Sequence, residues 1–294
     1  MKLKVILPSV LLICMLLSGC QLQHKSADIA ATTLPVYQFT QLLTQGTGLT
    51  CSRLVSESVS CLHDYSLHVR QVKLLESAHV IVLSGAGLEE FMADLLKGRN
   101  CIDASQGLTL LESCHEHGHE HTGEHAHSHE HDPHIWLSPE NAMVMAQNIC
   151  AGLCREFPKY KDAFTANLQS LWGQLEQLQS YGRQQLAELS CRELITFHDG
   201  FAYFAQAFDL TILHAMEEEA GSEVSAADLK QIITQVREHS IPAIFTETNG
   251  SGASASIIAR ETGVRLFALD MAMAGEDYFA AMYANIDTLK EALT

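Results

Sequence analysis

Short apolar runs alternate with longer helical patterns in two successive sets, and this alternation restricts what the chain can fold into more than any other feature. In the first set Ile29–Thr33, Ser52–Val55, Val80–Leu83 and Cys101–Asp103 read as strands. Between them Val36–Leu43, Leu67–Ser77 and Leu88–Leu96 carry apolar residues at helical spacing. The second set has Leu194–Phe197, Thr211–Ala215, Ala243–Thr246 and Leu266–Leu269, separated by helices such as Ala226–Glu238. Strands joined through helices lie parallel and cross over right-handedly.

One long helical pattern separates the sets. Pro158 opens it, and Phe164, Leu168, Leu171, Trp172, Leu175, Leu178, Leu186 and Leu189 recur at steps of three and four. A free coiled coil would need cleaner heptads with charged flanks, so the pattern predicts an interdomain helix packed along both halves. The expected architecture is α/β: two Rossmann-like lobes with parallel sheets, residues 28–157 and 190–294, joined by one backbone helix over 158–189, with a cleft between the lobes.

The first residues read as an export signal. Lys2 and Lys4 precede an apolar run from Val5 to Leu17, which ends at Leu17-Ser18-Gly19-Cys20. A basic start, an apolar stretch too short to span a bilayer comfortably and small residues at its end indicate a cleaved signal over 1–19, not a membrane helix. The Leu-Ser-Gly-Cys ending resembles a bacterial lipobox, which implies cleavage before Cys20 and acylation of its thiol. Residues 20–27 then form a short tether, and the expected location is outside the cytoplasm, on the membrane through a lipid anchor.

Removal of 1–19 takes away two lysines and no acid, moving the formal charge from −17 to −19. That argues against nucleic acid and suits a surface that handles cations. Seven cysteines follow Cys20: Cys51, Cys61, Cys101, Cys114, Cys150, Cys154 and Cys191. Cys51 with Cys61 and Cys101 with Cys114 each flank a short loop and are candidate bridges in an oxidising exterior. Cys150 and Cys154, at helical i,i+4 spacing, read as core thiols.

From His115 to His134 the chain reads HEHGHEHTGEHAHSHEHDPH, nine of its sixteen histidines in twenty residues. Glu116, Glu120, Glu124, Glu130 and Asp132 fill most of the gaps. Lacking large apolar residues, the tract cannot pack a core. His115, His117, His119, His121, His125, His127, His129 and His131 read as an auxiliary metal-capturing loop.

Four further residues fall where ligands collect in an α/β fold, beyond the carboxyl ends of strands. His63 follows the second strand. His134 closes the tract just before a helix expected to start near Pro139 with Ser138 as its N-cap. His198 closes Glu193–Phe197, and Asp270 closes Arg265–Leu269. Two come from each lobe, so an interlobe cleft would gather three imidazoles and one carboxylate, a donor set suited to tetrahedral Zn²⁺ at about 2.0–2.2 Å.

Three stretches carry a family resemblance: His63-Asp64-Tyr65-Ser66-Leu67, Asp132-Pro133-His134-Ile135-Trp136-Leu137-Ser138-Pro139 and Phe197-His198-Asp199-Gly200-Phe201-Ala202-Tyr203-Phe204. From about Ala27 to the C-terminus the chain resembles the zinc-binding lipoproteins of bacterial metal ABC importers, within the cluster of zinc and manganese receptors. The resemblance implies His63, His134 and His198 as ligands, with Asp270 as the fourth or as partner to a fourth-site water. It also implies a rigid helix between the lobes and an ABC permease as partner. Family members often carry a proline after the late-strand glutamate, whereas here the stretch is Thr246-Glu247-Thr248. Glu247 is therefore an alternative ligand, with a role behind the ligands or toward the permease favoured. Tyr65, Trp136 and Phe201 are candidate walls of the site or core residues.

Imidazole-rich ligation suits zinc, with copper the competing ion, whereas oxygen-rich ligation suits manganese. The expected function is a non-enzymatic receptor that captures Zn²⁺ outside the cell and delivers it to a permease. Alternative readings are a zinc-buffering or adhesin lipoprotein and a secreted zinc hydrolase. No His-Glu-x-x-His occurs to favour the hydrolase.

Overall fold

Strand β1 (Ile29–Ala31) is fully enclosed, and an apolar strand buried on both faces belongs inside a parallel sheet covered by helices. It pairs in parallel with β2 (Cys51–Arg53) on one side and β3 (Val80–Leu83) on the other, and β3 carries β4 (Cys101–Asp103) at the far edge. The computed structural model describes residues 27–56, 62, 65–112, 131–217, 224–248 and 252–294. The expected signal segment, Cys20, Cys61, His63, Cys114 and the tract histidines from His115 to His129 lie outside the described residues.

The second sheet contains β5 (Glu193–His198), β6 (Thr211–Glu217), β7 (Ala243–Glu247) and β8 (Arg265–Leu269), all parallel. The two sheets share one topology, with orders β2-β1-β3-β4 and β6-β5-β7-β8. In each, the order reverses beside the first strand, and the crevice at such a switch point is where α/β sheets bind ligands. At the first switch point Thr33 Oγ1 and Ser84 Oγ are 2.7 Å apart and buried.

Helices cover both sheets: α1 (Leu34–Leu43), α2 (Val69–Ser77), the one-turn α3 (Ala93–Leu96) and α4 (Pro139–Glu156) in the first half of the chain. Helix α5 (Lys161–Gln185) precedes α6 (Ala202–Ala207), α7 (Ala226–Glu238), α8 (Ala253–Thr262) and α9 (Tyr278–Leu293). The expected start of α4 is observed: Pro139 takes the first turn, where its missing N–H costs nothing, and Ser138 Oγ accepts from Asn141 N at 3.3 Å. Among the described residues no helix is long and apolar enough to cross a membrane.

Pro158 opens a 3₁₀ turn, Pro158–Tyr160, from which α5 runs for 25 residues. The helix stops at Gln185, short of the expected Leu189. Arg192 explains the stop: its guanidinium donates to the carbonyls of Leu186 at 2.7 Å and Ala187 at 3.3 Å, and to those of Phe208 and Asp209 at 3.2 and 3.1 Å. It satisfies carbonyls beyond the last turn that another helical turn would have used. Leu171 and Leu175 on α5 belong to one continuous core with Phe39 of the first lobe and Leu269 and Tyr278 of the second. The lobes are therefore packed as one unit. Leu34 N donates to Met273 O at 3.1 Å, and Arg53 Nη1 to Gly275 O at 2.6 Å, across the same junction.

Two expectations need correction. The segment Leu88–Leu96 is not one helix but a 3₁₀ turn, Glu90–Met92, followed by α3. Glu89 pins its start: the buried carboxylate accepts from Thr32 Oγ1 at 2.6 Å, Ser84 N at 2.7 Å and Gly85 N at 3.0 Å. Gly85 is required there, because at φ 84° a Cβ would lie 2.0 Å from Asp103 Oδ1. Second, Cys51 and Cys101 carry free thiols, so the two candidate bridges do not form. Cys51 packs against the core, where desolvation pushes its thiol up to about 12. Cys150 and Cys154 are unbridged thiols on α4, as expected, and burial likewise pushes the Cys150 thiol up to about 12.

Candidate metal centre

His134 sits on a rigid support. Ile135, Trp136 and Leu137 form a 3₁₀ turn whose three side chains are fully buried. Trp136 Nε1 donates to Met271 O at 2.7 Å, and Tyr278 Oη donates to Trp136 O at 2.8 Å. Both bonds tie the turn to the second lobe. Two residues upstream, Asp132 Oδ1 accepts from His134 N at 2.9 Å and lies 2.8 Å from His134 Nδ1. Proline between them holds the tight Asp-Pro-His geometry.

His198 ends β5 and is 2% exposed, as is His134. Thr196 pairs with Phe245 across β5 and β7, so in the same register His198 stands beside Glu247. Glu247 is buried, with Oε1 3.7 Å from His198 Nδ1. Each imidazole therefore turns Nδ1 toward a carboxylate, at hydrogen-bond distance for His134 and 3.7 Å away for His198, so that Nε2 is the atom each has left to meet a ligand.

Those two Nε2 atoms face each other at 3.4 Å, with the ring planes 86° apart. At that distance either one Nε2–H donates to the other ring or, with both protons on Nδ1, a cation between the two lone pairs holds them together. Two nitrogens bound to one tetrahedral zinc at about 2.0–2.1 Å are separated by ~3.3 Å, so the observed spacing fits a shared metal. Glycine is needed beneath the pair: a Cβ at Gly200 would lie 2.6 Å from Met271 Cε, 2.7 Å from His198 Cδ2 and 3.1 Å from His134 Cε1.

The structure brings together two of the sequence-predicted ligands, His134 and His198. His63 lies outside the described residues. Asp270 follows β8 as expected, but its Oδ1 accepts from Ala272 N at 2.7 Å, and its backbone is clasped by Asn285 through bonds of 2.8 and 2.7 Å. Among the described residues no three His, Cys, Asp or Glu side chains form a metal-holding group. Asp270 is nonetheless adjacent in sequence to Met271, which closes over Gly200 beside both rings. Of the aromatic candidates, Trp136 lies edge-on to His134 with centroids 5.5 Å apart. Tyr65 meets Phe91 edge-to-face with centroids 5.7 Å apart, and Phe201 is buried against Phe204.

His131, the last tract histidine, is half-buried and pairs with Glu112 in an isolated antiparallel bridge. Among the described residues His131 Nδ1 and Asp132 Oδ2 are buried without a hydrogen-bond partner. The bridge brings Glu112 and His131 together as a stem. Sequence reasoning missed the roles of Asp132, Gly200 and Tyr203. The Asp-x-His spacing around Pro133 was the available signal for the first. The other two lie in the stretch Phe197–Phe204, whose resemblance to the family gave neither a role.

A family model described as the periplasmic component A of the zinc-uptake complex, ZnuA, matches residues 29–292. The zinc-binding lipoprotein AdcA of Streptococcus pneumoniae is 28% identical over 291 residues, 91% of this chain and 57% of that protein. The chain thus spans little more than half the length of that relative. The high-affinity zinc uptake system protein ZnuA of Bacillus subtilis is 29% identical over 279 residues, 90% of this chain and 87% of its own. A crystal structure of a ZnuA superposes with a TM-score of 0.79 at 30% identity, covering 91% of this chain and 100% of the other.

Proposed function

The chain belongs to the ZnuA family of zinc-uptake components, and from that premise we propose that it is an extracytoplasmic receptor, not an enzyme, which captures Zn²⁺ and presents it to an ABC permease. The observation that carries the reading is the pair of buried imidazoles with facing Nε2 atoms at 3.4 Å, each backed by a carboxylate. A carboxylate behind Nδ1 fixes the tautomer and raises the basicity of the ligand nitrogen. Neutral imidazoles favour zinc over manganese, and copper is the competitor a titration must include.

In this reading His63 supplies a third nitrogen and Asp270 an oxygen, directly or through a water. Glu247, facing Nδ1 of His198 and not its Nε2, acts behind the ligands. The continuous core through both lobes supports a site formed before the ion arrives, so little of the binding free energy goes into ordering the protein. The histidines from His115 to His131 would raise the local supply of metal at weaker, separate sites. Acylated Cys20 would hold the domain at the membrane beside the permease.

Zinc titration by chelator competition, on residues 28–294 with and without residues 115–129, tests the reading. One tight equivalent persists without the tract and is lost in His134→Ala and in His198→Ala. Loss of all tight binding on tract deletion would overturn the cleft site.

A further inference from the structure

The stem of the histidine tract is closed by a residue of the other lobe. Asp132 N donates to Leu111 O at 2.9 Å within the stem. Tyr203, on α6, reaches both strands with one hydroxyl: it accepts from Leu111 N at 2.9 Å and donates to Asp132 O at 2.9 Å. The phenol is 1% exposed, so water cannot take over the buried bond to Asp132 O without opening the stem. Asp132 in turn holds His134, whose N and Nδ1 both meet a single carboxylate oxygen. Tyr203 lies five residues after His198 on the same strand–turn–helix unit. The hydroxyl therefore links the segment that carries one imidazole to the residue that orients the other.

We propose that Tyr203 is a positioning residue for the metal centre, holding the two imidazoles in binding register and making that register depend on a closed stem at the base of the histidine tract. The inference rests on the two-imidazole reading of the site. A donor set must be held within about 0.5 Å of its productive geometry, and removing the hydroxyl takes this partner from the part-buried Leu111 N and the buried Asp132 O. Asp132 is then free to shift, and His134 with it. Burial pushes the Tyr203 phenol up to about 12, so it remains the donor to Asp132 throughout the physiological range.

Tyr203→Phe keeps the ring in the core and removes only the hydroxyl. In the mature chain it weakens zinc binding by roughly tenfold or more, the scale of other residues that orient metal ligands. It also changes the visible absorption of bound Co²⁺, which reports ligand geometry. Combined with Asp132→Asn, the losses fall well short of multiplying, because both variants free the same imidazole. Phe204→Leu, a buried neighbour outside the site, lowers stability and leaves the Co²⁺ spectrum unchanged. Amide exchange at Leu111 and Asp132, read in parallel, accelerates in Tyr203→Phe even where the variant is only marginally stable. Unchanged zinc affinity with unchanged exchange overturns the inference, as do losses that multiply independently with Asp132→Asn. Tight binding that survives both His134→Ala and His198→Ala instead overturns the site reading beneath it.

Discussion

Glu247 Oε1 stands 3.7 Å from His198 Nδ1, at the ends of neighbouring strands and on the side of the ring away from His134. A carboxylate there orients the imidazole and stabilises it once it carries part of a metal's charge. Glu247→Gln is expected to weaken zinc binding by about 10-fold, and Glu247→Ala by up to ~100-fold, with one equivalent still bound. Isothermal titration checks this. A stoichiometry that drops to zero in Glu247→Gln would make Glu247 a ligand.

His198→Ala costs more zinc affinity than Asp270→Ala, by ~10-fold or more. Water substitutes for a lost carboxylate oxygen better than for an imidazole nitrogen in a zinc site. Asp270 Oδ1 is moreover already engaged by Ala272 N. Matched chelator competitions decide it, and equal losses would raise Asp270 to the rank of an indispensable ligand.

Gly200→Ala is a steric test of the paired rings. Its methyl would meet His198 Cδ2 at 2.7 Å and His134 Cε1 at 3.1 Å, so the Nε2 separation must change to admit it. Zinc affinity falls ~10-fold or more, a larger proportional effect than the loss of thermal stability, which a melting curve with and without zinc separates. An affinity equal to that of the parent would show that the rings yield without cost.

Glu89 introduces a pH dependence into folding. Burial pushes its carboxyl up to about 7 against the pull of three donors. A carboxyl raised in the folded state binds its proton more tightly there than when unfolded. Its contribution to stability is therefore full below the unfolded value near 4.5 and is lost as pH rises through about 7. Glu89→Gln removes this slope. Measured by denaturant unfolding, the variant's stability relative to the parent improves between pH 5 and pH 8, by up to about 3 kcal/mol. A difference constant with pH would mean that the carboxylate is charged in the fold throughout.

Much of the secondary structure was legible from residue order, because it depends on neighbours a few positions away. Val80–Leu83, Cys101–Asp103 and Ala226–Glu238 form the elements their patterns predict, and Ser138-Pro139 starts α4 as its capping chemistry requires. The alternation of runs likewise announced two parallel sheets and the helix between them. His134 and His198 stood out because each lies at the edge of such a run. Their meeting in one cleft was expected, but the facing of their Nε2 atoms across 64 residues depends on which strand ends the packing brings side by side. Tertiary contacts also placed Glu247 and Asp132 behind the rings, ended α5 at Arg192 and left Cys51 unbridged against the core. Each of these outcomes depends on distant groups meeting in a dry, close-packed interior. Local propensity carries no information about which groups will meet there.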